Sequence, residues 1–121
     1  MSVSENKAIF RRIVEVFNAR NFQALDDLLA PAFVDHNLGP TQRPGIQGIK
    51  DAWVQFTTTY PDVKLRLEDI VAEDDKLATR VTLTSPKLVL NRMEFFRVAD
   101  GKLVELWGIT RREKVGNGQD P

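Results

Sequence analysis

His36 is the only histidine of the chain, and it stands between Asp35 and Asn37 in the run FVDHNLGP. An imidazole titrates near neutral pH, so His36 can serve as an acid or a base if it reaches a cavity. The same three residues can equally form a turn, with His36 pinned by Asp35 or by backbone and Asn37 closing an Asx turn. Arg80 and Glu94 are the other charged residues set among apolar neighbours. Inside an apolar pocket Glu94 would be a substitute acid or base; on an outer surface the two would be a cross-strand ion pair. Alternation places Leu90, Arg92, Glu94, Phe96 and Val98 on one side of a strand and Asn91, Met93, Phe95 and Arg97 on the other. It does not say which side faces a pocket.

Other chemistries are closed by composition. With no cysteine there is no thiolate nucleophile, disulfide or cysteine-bound metal. One histidine rules out a multi-histidine zinc site within the chain, and no acidic calcium loop occurs, so no bound metal is expected. There is no G-x-S-x-G element, and GIQGIK reads as a helix start rather than a phosphate loop. Lysine plus arginine equals aspartate plus glutamate, 17 against 17, so no net field draws the chain to nucleic acid or to an anionic membrane. The opening MSVSENKAIFRR has no apolar signal region, and a cytoplasmic location is the default expectation.

The elements that must position these residues follow from periodicity. The 121 residues suit one domain, with about 112–121 a flexible tail. Ser2 and Glu5 have capping-box spacing ahead of a helix whose apolar face is Phe10, Ile13, Val14 and Phe17. Asn21 is placed to cap a second, short helix over Phe22–Leu29, which Pro31 ends. Phe33–Asn37 is extended, and a third helix runs from about Ile46 to Thr59 before the Tyr60-Pro61-Asp62 stop.

From Val63 the period becomes two. A phase slip near Glu68-Asp69 marks a bulge, and hairpin turns fall at Asp74-Asp75, Ser85-Pro86 and Asp100-Gly101. The order is helix, helix, short strand, helix, then four antiparallel strands, an α+β domain. In the last strand Leu103, Trp107 and Ile109 alternate with Val104 and Leu106, so both faces are apolar. Helices on one face and a second copy of the chain on the other would bury both, and a homodimer through the sheet is expected.

Three stretches carry a family resemblance: FVDHN before a glycine-containing loop, GIQGIKDAWVQFTTTYPDVKLRLEDIVAEDDKLATRVTLT, and MEFFRVADGKLVELWGI. Together, over roughly Phe10 to Ile109, they resemble the SnoaL-like polyketide cyclases, in the wider group of nuclear transport factor 2 and ketosteroid isomerase. The resemblance implies a cone-shaped curved antiparallel sheet with three N-terminal helices on its concave face, one deep pocket, and dimers or larger oligomers. It also implies cofactor-free proton transfer by a carboxylate in the pocket, on a small hydrophobic molecule. His36, which matches the histidine of the family's D-H-N element, is the first catalytic candidate, with Glu94 and Asp35 beside it. Asn37, Trp53, Phe56, Tyr60, Arg80, Phe96 and Trp107 are the ligand-pocket candidates.

Two departures bear on the reaction. Relatives often carry E-H-W-D-x-x-D around the last tryptophan, whereas this chain has Glu105-Leu106-Trp107-Gly108-Ile109-Thr110-Arg111, so both acidic positions after the tryptophan are lost. The loop after Ser85-Pro86 is also short, which predicts a shallower and wetter pocket. Both argue against a polyketide cyclase in the strict sense. They leave two readings: an acid/base enzyme performing aldol closure, isomerisation or hydration on a carbonyl or cyclic ligand, and a non-catalytic binding or dimerisation module.

Overall fold

The computed structural model describes residues 2–115. Helix α1 spans Val3–Ala19 and begins with the expected capping box: the Ser2 hydroxyl accepts from the Glu5 N–H, and the Glu5 carboxylate accepts from the Ser2 N–H. Its face of Phe10, Ile13, Val16 and Phe17 is buried. Arg20 ends the helix in the left-handed region (φ 60°), and its guanidinium donates to the carbonyls of Phe17, Pro61 and Val63. The end of α1 is thereby tied to the entry of the sheet.

A 3-10 turn at Phe22–Ala24 and the one-turn helix α2, Leu25–Leu28, follow. The Asn21 side chain makes no capping bond, contrary to expectation. Strand β1, Leu29–Asp35, starts earlier than the sequence suggested and takes in Pro31. It pairs parallel with the last strand at one end of the sheet. A proline without an N–H is tolerated there because an edge strand has one unpaired side.

Helix α3 covers Gly45–Thr59. The antiparallel strands β2 (Lys64–Glu73), β3 (Lys76–Ser85), β4 (Leu88–Ala99) and β5 (Lys102–Glu113) complete a curved, unclosed five-stranded sheet in the order β1-β5-β4-β3-β2. This is the α+β fold read from the sequence, with β1 as its one parallel strand. Strand β5 runs on through Arg112 and Glu113, where the tail was expected to have begun; positions 116–121 of that tail lie outside the described residues.

Two bulges shape the antiparallel part of the sheet, and a third register break, between Leu29 and Val34, lies in β1. One bulge falls between Leu67 and Asp69 of β2, at the predicted phase slip. The other lies in β5, where Arg97 pairs with Glu105 but Val98 pairs with Leu103, leaving Val104 as the extra residue. The second bulge overturns the simple alternation expected for β5. Leu103 and Leu106 both turn inward, buried, while Trp107 and Ile109 are exposed on the opposite face. Asp100 and Gly101, with φ of 52° and 76°, make the tight turn that sets the β4–β5 register.

Candidate active site

Between the helices and the inner face of the sheet lies a cavity of about 330 Å³. Phe10, Ile13 and Phe17 of α1 form part of its wall, Trp53 and Phe56 of α3 another, and Val81, Leu83, Leu90 and Phe96 the sheet side. Phe10 meets Phe96 with ring centroids 5.3 Å apart, and Trp53 stands edge-on to Phe17 at 5.0 Å. These contacts pack α1 against the sheet and against α3 along the wall.

The polar lining is a single connected band across β1, β5 and β4. Asp35 accepts from the Asn37 backbone N–H at 2.8 Å and from the Gln42 side-chain amide at 3.2 Å. The turn is thus an Asx turn closed by Asp35 rather than by Asn37. Asn37 reaches across to β5, where its side-chain oxygen accepts the Gly108 N–H at 2.6 Å. Gly108 lies opposite Glu94 on β4, and Thr110 opposite Arg92. Arg92 donates from Nε to Glu94 at 2.9 Å and from Nη1 to the Thr110 hydroxyl at 2.7 Å. The Glu94 side chain is only 11% exposed and accepts a further, long bond from the Thr79 hydroxyl.

Strand alternation decides where the remaining candidates fall. The side of β4 that meets the cavity is the one carrying Leu90, Arg92, Glu94 and Phe96. Asp35 and Asn37 turn inward; His36, between them, turns outward. His36 is therefore not on the wall of this cavity; with Arg80 and Trp107 it lines a separate hollow of about 520 Å³ on the outer face. Its ring stacks on Trp107 at 4.7 Å, nearly parallel, and Nε2 pairs with Glu105 at 2.9 Å on the outer face. Trp107 is an outer-face residue for the same reason.

Arg80 also faces outward, bonded to Asp69 at 2.8 Å, so it does not pair with Glu94 and does not line the inner cavity. Tyr60 packs against Phe56 at the end of α3 and is not part of the wall. Asp35, Glu94, Asn37, Trp53, Phe56 and Phe96 are on it. Sequence reasoning missed Gln42, Arg92 and Thr110 as pocket residues. The signal for Arg92 was present, since it shares its strand face with Glu94.

On the outer face Glu105 receives both His36 and Arg97, and these hydrogen bonds, His36 first, hold its carboxyl below the usual range. Among the described residues no three histidine or acidic side chains gather as a metal site. No helix among them is long and apolar enough to cross a membrane.

The model of the SnoaL-like polyketide cyclase family matches residues 7–112, most of the chain. The chain belongs to that family. Its fold is similar to that of a proposed polyketide cyclase from Bacillus cereus (TM-score 0.83, 23% identity, 88% of this chain and 74% of that one). It is also similar to TsrD from Streptomyces laurentii (0.80, 21%, 91% and 90%) and to a proposed ketosteroid isomerase from Kribbella flavida (0.71, 21%, 90% and 79%). No curated protein matches in sequence.

Proposed function

We propose that the cavity takes a small hydrophobic cyclic ketone or related carbonyl compound and that Glu94, with Asp35 as the second carboxylate, moves a proton on it without a cofactor. The observation that carries this reading is a hollow at the lower end of ligand-site volumes whose apolar wall holds two carboxylates. In the simplest step the Glu94 carboxylate removes a proton from the carbon beside the carbonyl. The C–H electron pair forms the enolate double bond, and the carbonyl π pair moves to oxygen. Return of a proton to another position is isomerisation; attack of the enolate carbon on a second carbonyl is aldol closure. His36 takes no part, because its ring is on the other side of the sheet.

The test is deuterium uptake. In D2O the protein should accelerate exchange of the α-hydrogens of 1-tetralone, followed by proton NMR, over buffer alone. Saturable binding without any acceleration would instead favour the non-catalytic module, a reading supported by the absence of an acid at Gly108 and by the engagement of Glu94 with Arg92.

The same fold presents an apolar outer face. Val71, Met93, Phe95, Trp107 and Ile109 are exposed on β2, β4 and β5, with Ile109 at 76%. Met93 pairs with Ile109 and Phe95 with Trp107 in the sheet register, so the patch is continuous across β4 and β5. A patch of this kind marks an interaction surface, and a second copy of the chain is its proposed occupant. Light scattering on a sizing column should show a dimer at micromolar concentration and a monomer for Ile109→Lys. A monomeric wild type would remove the proposal.

A further inference from the structure

Gly108 stands at the first of the two positions after Trp107 where relatives carry an acid, and the volume its side chain would fill is taken by another residue. An ideal Cβ built on Gly108 would lie 2.6 Å from Nη2 of Arg92 and 3.2 Å from its Cζ. The guanidinium is therefore seated over the bare β5 backbone. It is held there by Nε on Glu94 and Nη1 on Thr110. Nη2 makes no hydrogen bond to any described residue, although the side chain is only 26% exposed.

We propose that Arg92 anchors the ligand, with Nη2 donating to a neutral carbonyl oxygen at the polar end of the cavity. This deepens the function proposed above and rests on it. Where the resembled pattern has an acid, position 108 thus has a fixed hydrogen-bond donor seated over it, so the site binds the carbonyl where an acid would exchange a proton with it.

Charge selects a neutral ligand over an anionic one. The cavity lining holds one guanidinium, Arg92, against two carboxyl groups, Asp35 and Glu94. Glu94 already faces the guanidinium, so a ligand carboxylate would add a further negative charge to a site with no cation left over. A ketone oxygen accepts the Nη2 proton without that cost. An enolate forming at the same oxygen would be stabilised as charge develops there, which is where a preorganised donor acts most strongly.

The experiment is calorimetric titration with three ligands of one shape: 1-tetralone, tetralin and tetralin-1-carboxylate. A hydrogen bond to a charged donor favours tetralone over tetralin by about tenfold or more in Kd, and the carboxylate should bind more weakly than the ketone. Arg92→Met should erase the preference for the ketone while tetralin still binds. Gly108→Ala tests the same point with Arg92 and Glu94 both present: its Cβ displaces Nη2, so the preference should fall here as well. A preference kept in both variants, no preference in the wild type, or tighter binding of the carboxylate would overturn the anchoring role while leaving the apolar cavity as a binding site. No binding of tetralin or tetralone to the wild type would overturn both this inference and the proposed function.

Discussion

Glu94→Gln should slow α-deuteration of 1-tetralone by roughly 10² to 10⁴, the usual contribution of a positioned general base, and leave its Kd within a few-fold of wild type. The substitution keeps size and shape. A glutamine oxygen can still accept from Arg92 Nε, where Glu94 accepts at 2.9 Å, so the guanidinium stays seated and the cavity keeps its volume. What is lost is the ability to take a proton. Asp35→Asn is the informative partner. Asp35 accepts from the Asn37 backbone and from Gln42, and a carboxamide oxygen can keep only one of those bonds well. A smaller loss of rate than in Glu94→Gln, with weaker binding, would assign Asp35 to shaping the site. An equal loss in rate alone would make it the second proton carrier. If Glu94→Gln exchanges deuterium as fast as the wild type, Glu94 is not the base.

Gly48→Ala should cost about 3 kcal/mol and lower Tm by roughly 10 °C. A Cβ at position 48 would lie 1.6 Å from the Arg43 carbonyl oxygen and 2.6 Å from its carbon, both backbone atoms that cannot swing aside as a side-chain tip would. The first turn of α3 and the preceding loop are pressed together at this glycine. The loop also carries Gln42, whose Cγ is 3.2 Å from the same point and whose amide holds Asp35. Ligand affinity should therefore fall along with stability. Gly39→Ala in the same loop is the control: its nearest neighbour would be 3.9 Å away, and its effect should stay within about 0.5 kcal/mol. Thermal melting of the two variants decides the matter, and equal melting temperatures would mean that the α3 approach is looser than the backbone contact implies.

Periodicity was sufficient for the helices and hairpins because each buries one face against a common core. Ser2 with Glu5, the slip at Glu68-Asp69 and Asp100-Gly101 are local signals, complete within a few residues, and each acts where it was read. Local reading failed where a partner from afar decided the outcome. The short helix does end before Pro31, but strand β1 begins at Leu29 rather than at Phe33, because Leu29 already pairs with Leu103 of β5. Val104 looked like an ordinary alternating residue, yet the bulge there sends Leu103 and Leu106 to the same side.

The candidate site shows the same division. Alternation correctly grouped Arg92, Glu94 and Phe96, but which side of the sheet is hollow depends on where α1 and α3 pack, and no residue on β4 encodes that alone. His36 drew notice by its chemical type. Its neighbours Asp35 and Asn37 reach the cavity from the end of β1 and the Asx turn that follows, where Asp35 accepts the Asn37 N–H and Asn37 accepts the Gly108 N–H. Arg80 and Glu94, close in the pattern of charges, end on opposite sides of the sheet.

A methyl-resolved NMR titration with 1-tetralone tests the existence of an accessible, ligand-binding hollow most directly. Saturable shifts at the Leu83, Leu90 and Leu106 methyls, with Met93 and Ile109 unmoved, are the expected result. Shifts confined to Val71, Met93 and Ile109, or none at any concentration the ketone reaches in water, would contradict it.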